Sequence, residues 1–263
     1  SHSEVKGKKY YDQLYHNIAT NYYSIEHENR PPLGIECIPQ SDIPSVDEIM
    51  EQVNKLPGLY TVKKVFERLS KTKVYEAQHG VTKNKNRYHM AFVGNSGTGK
   101  TTVARMVADM YYSMGIIKTR KLVEKRASDL IGKWSNSTRD TVKAIVEEAR
   151  YGVLFIDEAY GFLNQNKEYG GQAIDALMKT LDVEPVILII AGYEDEINEL
   201  YDMNPGLKSR IGEQVLFEDY TKEDLLKILV NRLEKRGFII ENHIVPLLEE
   251  CISAKMSEVN FGN

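Results

Sequence analysis

The 263-residue sequence has two cysteines, no long apolar run and little excess of charge of either sign. Cys37 and Cys251 lie far apart without metal-ligand spacing, which argues against a disulfide framework and favours a reducing compartment, the cytoplasm. The longest apolar run, Val186 to Ala191, is far shorter than the roughly 18 residues of a membrane span, so no membrane partner is expected. A net charge of −4 without a dense basic run argues against a nucleic-acid partner.

The pattern of the chain predicts three segments. Residues 1–45 are rich first in tyrosine and then in proline, which predicts an N-terminal helix followed by an extended linker. Residues 46–218 alternate apolar runs with helical periodicity, and continuous runs such as VLFI and VILIIA are typical of parallel strands covered on both faces. Residues 219–263 show only helical patterns. We therefore expect an α/β domain followed by a small helical one.

Apolar runs and capping residues locate the elements. Helix starts are predicted by capping boxes at Ser45 with Glu48 and at Thr221 with Asp224. Five strands are predicted at 88–93, 121–125, 153–156, 186–191 and 214–217, with helices between them at 100–114, 138–150, 172–181 and 195–200.

The segment GNSGTGKT satisfies the phosphate-loop pattern G-x-x-x-x-G-K-[ST]. Its glycines let backbone N–H groups crowd a phosphate, and the helix that follows presents its positive N-terminus. Lys100 should reach the β- and γ-phosphates, and the Thr101 hydroxyl should ligate Mg²⁺. Because the pattern joins a predicted strand to a predicted helix, ATP binding is favoured over a simple glycine-rich turn. The expected ATP contacts are Gly94, Asn95, Ser96, Gly97, Thr98, Gly99, Lys100, Thr101 and Thr102.

Two carboxylates follow the apolar run VLFI. In phosphate-loop enzymes an Asp at this position holds Mg²⁺, which predicts that role for Asp157. Glu158 is then placed to accept a proton from the water that attacks the γ-phosphate. The alternative is a solvated acidic turn, which the preceding phosphate loop makes the weaker interpretation.

Several motifs in the same order resemble AAA+ ATPases of the group that contains stage V sporulation protein K and the red-type rubisco activase CbbX. The secretion ATPase EccA has a similar module. The resemblance covers about residues 45–263 and rests on HMAFVGNSGTGKTTVA, GVLFIDEAYGF, YGGQAID, VILIIAGYEDEI and NPGLKSRI. It implies a P-loop NTPase fold with a central five-stranded parallel sheet over 46–218 and a helical lid over 219–263. It also implies an ATP-driven ring, usually a hexamer, that pulls on a protein.

The resemblance assigns two further roles. Arg210 in NPGLKSRI matches the arginine finger that enters a neighbouring subunit's site, where a planar permanent cation would stabilise γ-phosphate charge. Trp134 matches the pore-loop aromatic, which can grip an extended chain by apolar contact. The alternatives are a solvated surface arginine and a tryptophan that covers a core edge. Lys208 stands where relatives often have another arginine.

Other positions depart from the broader pattern. Many AAA+ proteins have Asn as sensor 1, whereas this chain offers Tyr193 or Glu194 after its fourth strand. Gly58-Leu59 and Val62-Lys63 resemble the segment that flanks adenine, with ordinary helix packing as the alternative. Relatives continue with a Gly-Asn-x-Arg segment that carries the sensor 2 arginine, and here the chain ends at Asn263, which predicts a partial lid.

Three functions follow as hypotheses. The first is an ATPase that remodels or threads a protein client of unknown identity as a homo-oligomer. The second is a nucleotide-dependent scaffold or assembly factor without threading. A nucleic-acid-stimulated ATPase is third, because charge offers it little support.

Overall fold

The computed structural model describes residues 43–79, 88–132, 137–164, 167–241 and 243–257. Five parallel strands form one sheet in the order β2-β3-β4-β1-β5. This confirms the parallel sheet predicted from the sequence. The strands are β1 (Met90–Val93), β2 (Leu122–Arg126), β3 (Val153–Asp157), β4 (Ile187–Gly192) and β5 (Glu213–Leu216).

Helices connect the strands and extend the chain at both ends. A short 3-10 helix, Ala127–Leu130, follows β2. The α-helices are α1 (Val46–Asn54), α2 (Tyr60–His79), α3 (Lys100–Ser113), α4 (Ser137–Glu148), α5 (Gly161–Asn164), α6 (Lys167–Val183), α7 (Glu194–Met203), α8 (Pro205–Arg210), α9 (Lys222–Lys235) and α10 (Val245–Met256).

The sheet is buried on both faces. Met90 and Phe92 of β1 join one apolar cluster with α1, α2 and α3, whereas Ala91 and Val93 join a second with α4, α6 and α7. Side chains that alternate along a strand point to opposite faces, so β1, β3 and β4 each supply both clusters, whereas the edge strand β5 supplies Val215 to the first only. This two-sided burial explains why the strands read as continuous apolar runs.

The start of α6 differs from the prediction. The sequence pattern placed it at Gln172. The helix in fact includes Gly170 and Gly171. A Cβ on Gly170 would lie 1.8 Å from the carbonyl oxygen of Phe162, so only glycine lets α6 pack this closely against α5. The glycine thus serves packing between helices.

Both predicted capping boxes form. The Ser45 hydroxyl accepts from Glu48 N–H at 3.2 Å and the Glu48 carboxylate accepts from Ser45 N–H at 2.7 Å. Thr221 and Asp224 exchange the equivalent bonds, each at 3.2 Å, at the start of α9. The first box begins α1 and the second begins the C-terminal helices.

The C-terminal helices are less buried than the sheet. Among their described residues only Asp224 of α9 and Ile252 of α10 are buried. The predicted apolar face of α9, from Leu225 to Leu233, is half-exposed. None of the described helices combines the length and the apolar character that crossing a bilayer requires.

Candidate nucleotide-binding site

A cavity of about 380 Å³ opens at the carboxyl edge of the sheet, where β1, β3 and β4 end. The neighbouring strands β4 and β1 are followed by helices on opposite faces of the sheet, α7 and α3, so the ends of these strands form a topological switch point, where ligands of open α/β sheets bind. The cavity is lined by Gly94, Ser96, Gly97, Gly99, Lys100, Thr101, Thr102, Asp157, Glu158, Tyr160, Gly192, Tyr193, Glu196 and Arg232.

Glycine is required at several points of the phosphate loop. The φ angles of Gly94, Gly97 and Gly99 are 153°, 79° and 93°, values that L side chains rarely adopt. A Cβ on Gly94 would also lie 2.5 Å from the carbonyl oxygen of Phe217. The chain enters α3 at Lys100 directly after Gly99, so the first turn presents free N–H groups and a positive dipole to the cavity.

Two of the nine predicted ATP contacts, Asn95 and Thr98, do not line the cavity and instead form hydrogen bonds that stabilise the loop. The Asn95 amide donates to both carboxylate oxygens of Asp219 at 2.9 Å. Thr98 is buried, its hydroxyl donates to the Asn95 carbonyl at 2.8 Å, and its own carbonyl accepts from the Tyr220 hydroxyl at 3.0 Å. Both side chains therefore hold the loop in shape and connect it to the chain that follows β5.

Lys100 is held inside the loop. Its ammonium donates to the carbonyl oxygens of Gly94 at 2.8 Å and Asn95 at 2.7 Å. Burial lowers the pKa of Lys100, while the nearby Asp157 and Glu196 carboxylates favour its charged form. The cavity therefore contains a cation beside carboxylates, an arrangement suited to a phosphate and a divalent ion.

The predicted carboxylates stand at the end of β3. The Asp157 carboxylate accepts the Glu158 N–H at 2.9 Å. Glu158 has φ 52°, a left-handed conformation that is uncommon outside glycine and concentrates at functional sites. Arg126, at the end of β2, places its Nε 3.7 Å from Glu158 Oε2. Sequence reasoning missed Arg126, since only the pairing of β2 with β3 brings it to Asp157 and Glu158.

The cavity suits a magnesium ion shared with phosphates. Across the described ranges no group of three or more His, Cys, Asp or Glu could hold a metal by itself. Mg²⁺ in nucleotide sites needs only one or two protein oxygens beside phosphates and water. The Thr101 hydroxyl and the Asp157 carboxylate line the same cavity and fit that donor set.

Of the two sensor 1 candidates, Tyr193 and Glu194, only Tyr193 lines the cavity. Tyr193 is the N-cap of α7, lines the cavity and is 42% exposed. Glu194 is exposed and does not line the cavity. Glu196, which sequence reasoning missed, does line it, and its Oε2 accepts the Tyr193 N–H at 3.1 Å. Glu196 is the third residue of α7 after the N-cap Tyr193, where a glutamate commonly accepts the N-cap N–H, and this spacing could have predicted its position.

Arg210 lies elsewhere. It ends α8, and its guanidinium binds Asp182 of α6 in a bidentate pair, with Nε–Oδ1 at 2.9 Å and Nη2–Oδ2 at 2.6 Å. Its Nη1 donates to the Gly206 carbonyl at 2.9 Å, and it does not line the cavity. The Lys208 ammonium lies 5.9 Å from the centre of the Tyr201 ring. Trp134 falls at 133–136, outside the described residues.

A second cavity, of about 570 Å³, separates the turn between α1 and α2 from α9. Gly58 and Leu59 of this turn have φ 58° and 54°. Gly58 lines the cavity, as does Lys63, whose ammonium donates to the Leu56 carbonyl at 2.6 Å, whereas Val62 is buried in the core. The segment predicted to flank adenine thus stands beside the first C-terminal helix.

A phosphate loop after β1 and paired carboxylates at the end of β3 define the site of a P-loop ATPase. The model of the ATPase family associated with various cellular activities, AAA, matches residues 90–219. Ribulose bisphosphate carboxylase/oxygenase activase, chloroplastic, of Cyanidioschyzon merolae is 33% identical over 226 residues, which are 83% of this chain and 77% of that protein. Protein CbbX of Cereibacter sphaeroides is 30% identical over 240 residues, 88% of this chain and 78% of CbbX.

Solved structures share the fold. The FIGL-1 AAA domain in complex with ADP superposes with a TM-score of 0.53 at 21% identity, over 74% of this chain and 65% of that one. A structure from work on the structural basis of katanin self-assembly superposes with a TM-score of 0.52 at 16% identity, over 81% of this chain and 67% of that one. The chain belongs to the AAA ATPase family, in the group of CbbX, CfxQ and red-type rubisco activase proteins. It is accordingly a nucleotide-binding, ATP-hydrolysing protein.

Proposed function

We propose that this chain is one subunit of a cytoplasmic, hexameric AAA motor that couples ATP hydrolysis to the remodelling of a protein client. The observation that carries the proposal is the separation of Arg210 from the cavity that contains Lys100, Asp157 and Glu158. An arginine presented on a surface away from its own site is suited to complete the site of a neighbouring copy.

Within one subunit, each lining group has a distinct role. The phosphate-loop N–H groups and Lys100 bind the β- and γ-phosphates of ATP, and Glu158 accepts a proton from the attacking water. Thr101 and Asp157 would hold Mg²⁺, which when bound neutralises charge on the phosphates. Tyr193 lines the cavity as the sensor 1 candidate. The turn at Gly58 places the adenine beside α9.

Arg210 of a neighbouring subunit then stabilises the charge that develops on the γ-phosphate. In the isolated chain the Arg210 guanidinium pairs with Asp182, and the hydrogen bond to Asp182 raises the pKa of Arg210. Trp134 grips the client in the central pore. Relatives named for activating ribulose bisphosphate carboxylase/oxygenase support a folded protein as the class of client.

Mixing two inactive variants tests the shared site. Glu158→Gln keeps Arg210, and Arg210→Ala keeps Glu158, so a mixed ring forms some sites that contain both groups. We expect phosphate release by the mixture to exceed that of either variant alone, because Arg210 acts between subunits. A mixture no more active than its parts, although it assembles, would refute the shared site.

Trp134→Ala separates a motor from a scaffold. For a motor, this variant loses client remodelling but keeps basal ATP hydrolysis. Unchanged remodelling would instead support a nucleotide-dependent scaffold that does not thread its partner.

A further inference from the structure

Arg232 is the only residue of the described C-terminal helices that lines the phosphate cavity. With Lys100 it is one of two cationic side chains there. It is exposed, and within the described part of the chain no carboxylate forms an ion pair with it. A guanidinium that borders a phosphate site without a protein partner has its donors available for a ligand.

The chain before α9 explains how Arg232 reaches this position. We call residues 217–220 the strap. Phe217 N–H donates to the Val93 carbonyl at 2.7 Å, Asp219 accepts from Asn95, and the Tyr220 hydroxyl donates to the Thr98 carbonyl. Because these bonds attach the strap to β1 and the phosphate loop, α9 begins at a defined place beside the cavity.

The face of α9 that follows the strap leads to Arg232. Asp224, Ile228 and Arg232 are spaced by four residues and so lie along one ridge of the helix. Asp224 is buried at one end of this ridge, where a Cβ on Gly58 would meet its Oδ2 at 3.1 Å. Arg232 lies two turns further on. Burial and Asp224 raise the pKa of Tyr220, and the Arg232 charge opposes this rise.

We propose that Arg232 contacts the phosphate chain of a bound nucleoside triphosphate and thereby draws α9 toward the phosphate loop. A guanidinium matches phosphate oxygens with paired, charge-assisted hydrogen bonds. This role is separate from that of the Gly-Asn-x-Arg arginine of relatives, since Arg232 lies on the first C-terminal helix and in no such segment. The proposal rests on the nucleotide site described above.

The test compares Arg232→Met with Arg236→Met in the full chain. Methionine keeps the aliphatic stem and the helix propensity while it removes the charge. Arg236 ends the same helix, is exposed and does not line the cavity, so it controls for net charge. The readouts are the Kd of fluorescent ATP and ADP analogues and the thermal unfolding of each variant without nucleotide.

We expect Arg232→Met to weaken ATP binding about ten-fold, the effect of one lost hydrogen bond to a charged group. Arg232→Lys should recover part of this loss, and Arg236→Met should bind like the parent chain. Unfolding without nucleotide should be unchanged in all three. A loss for ATP alone assigns the contact to the γ-phosphate, and an equal loss for ADP assigns it to the β-phosphate.

ATP affinity within about two-fold of the parent in Arg232→Met would overturn the proposal, since one lost charged contact should exceed that. An equal loss in Arg236→Met would also overturn it, because the effect would then be one of net charge. Lys100→Ala in the same assay distinguishes a failure of the nucleotide site itself from a failure of the Arg232 proposal. If the parent chain binds and Lys100→Ala does not, the nucleotide site stands whatever Arg232 does.

Discussion

All four residues of β1, which lead into the phosphate loop, are buried, whereas the two C-terminal helices bury only Asp224 and Ile252 among their described residues. The phosphate loop that follows β1 and Arg232 of α9 nevertheless line the same cavity. The sheet edge is held by packing on two faces, and α9 is held at its start by the polar contacts of the strap. Regions with few buried contacts open at low free energy. The site therefore joins a rigid catalytic edge to a more weakly held helix that can respond to nucleotide.

The largest effect is expected for Glu158→Gln, which tests whether ATP hydrolysis depends on the carboxylate at the sheet edge. Glu158→Gln removes the proton acceptor and should lower the turnover number about 100- to 10,000-fold while the Kd for ATP stays within a few-fold. Phosphate release and nucleotide binding measure the two quantities. Glu194→Gln is the matched control, because Glu194 is exposed and does not line the cavity. Equal turnover in both variants would remove Glu158 from the mechanism.

Packing should differ sharply between the two regions. Phe92 is fully buried, with ring centres 4.9 Å from Phe217 and 6.4 Å from Phe155. Phe92→Ala should lower the free energy of unfolding by about 3–5 kcal/mol. Leu229→Ala in half-exposed α9 should lower it by less than about 1.5 kcal/mol. Urea unfolding measures both, and similar losses would show that α9 is packed as firmly as the sheet.

The backbone of the phosphate loop provides a third comparison. Gly94→Ala places a methyl group against Phe217 at a φ of 153°, so it should lower the free energy of unfolding by more than about 1 kcal/mol and weaken ATP binding. Gly171→Ala is the control, since its Cβ would meet nothing within 4 Å in a helix. That change should be neutral or stabilise by up to about 1 kcal/mol. A harmless Gly94→Ala would contradict the required close approach.

The smallest effect concerns the strap. Tyr220→Phe removes the hydrogen bond to the Thr98 carbonyl and keeps the ring. The loss of about 1 kcal/mol should speed amide hydrogen exchange in α9 roughly five-fold and leave β3 unchanged. Tyr60→Phe, at a residue that is 66% exposed, controls for hydroxyl loss. Equal acceleration in β3 would show that α9 and the sheet open as one unit.

Sequence patterns predicted much of this molecule because the relevant forces are local. Strand-length apolar runs report two-sided burial, and Ser45 with Glu48 or Thr221 with Asp224 satisfies helix N-termini within one turn. The predicted start of α6 excluded Gly170 and was wrong for the opposite reason. Position 170 requires glycine because of Phe162, on another helix, and no local pattern records that contact.

The sequence itself determined the phosphate-loop motif and the acidic pair Asp157-Glu158, since each motif lies within a few consecutive residues. Only the tertiary structure brought Arg126, Glu196 and Arg232 to the same site, from strand and helix ends far apart along the chain. Strand pairing and the strap decide those positions. Such contacts depend on where distant backbone segments meet, which neither periodicity nor spacing encodes.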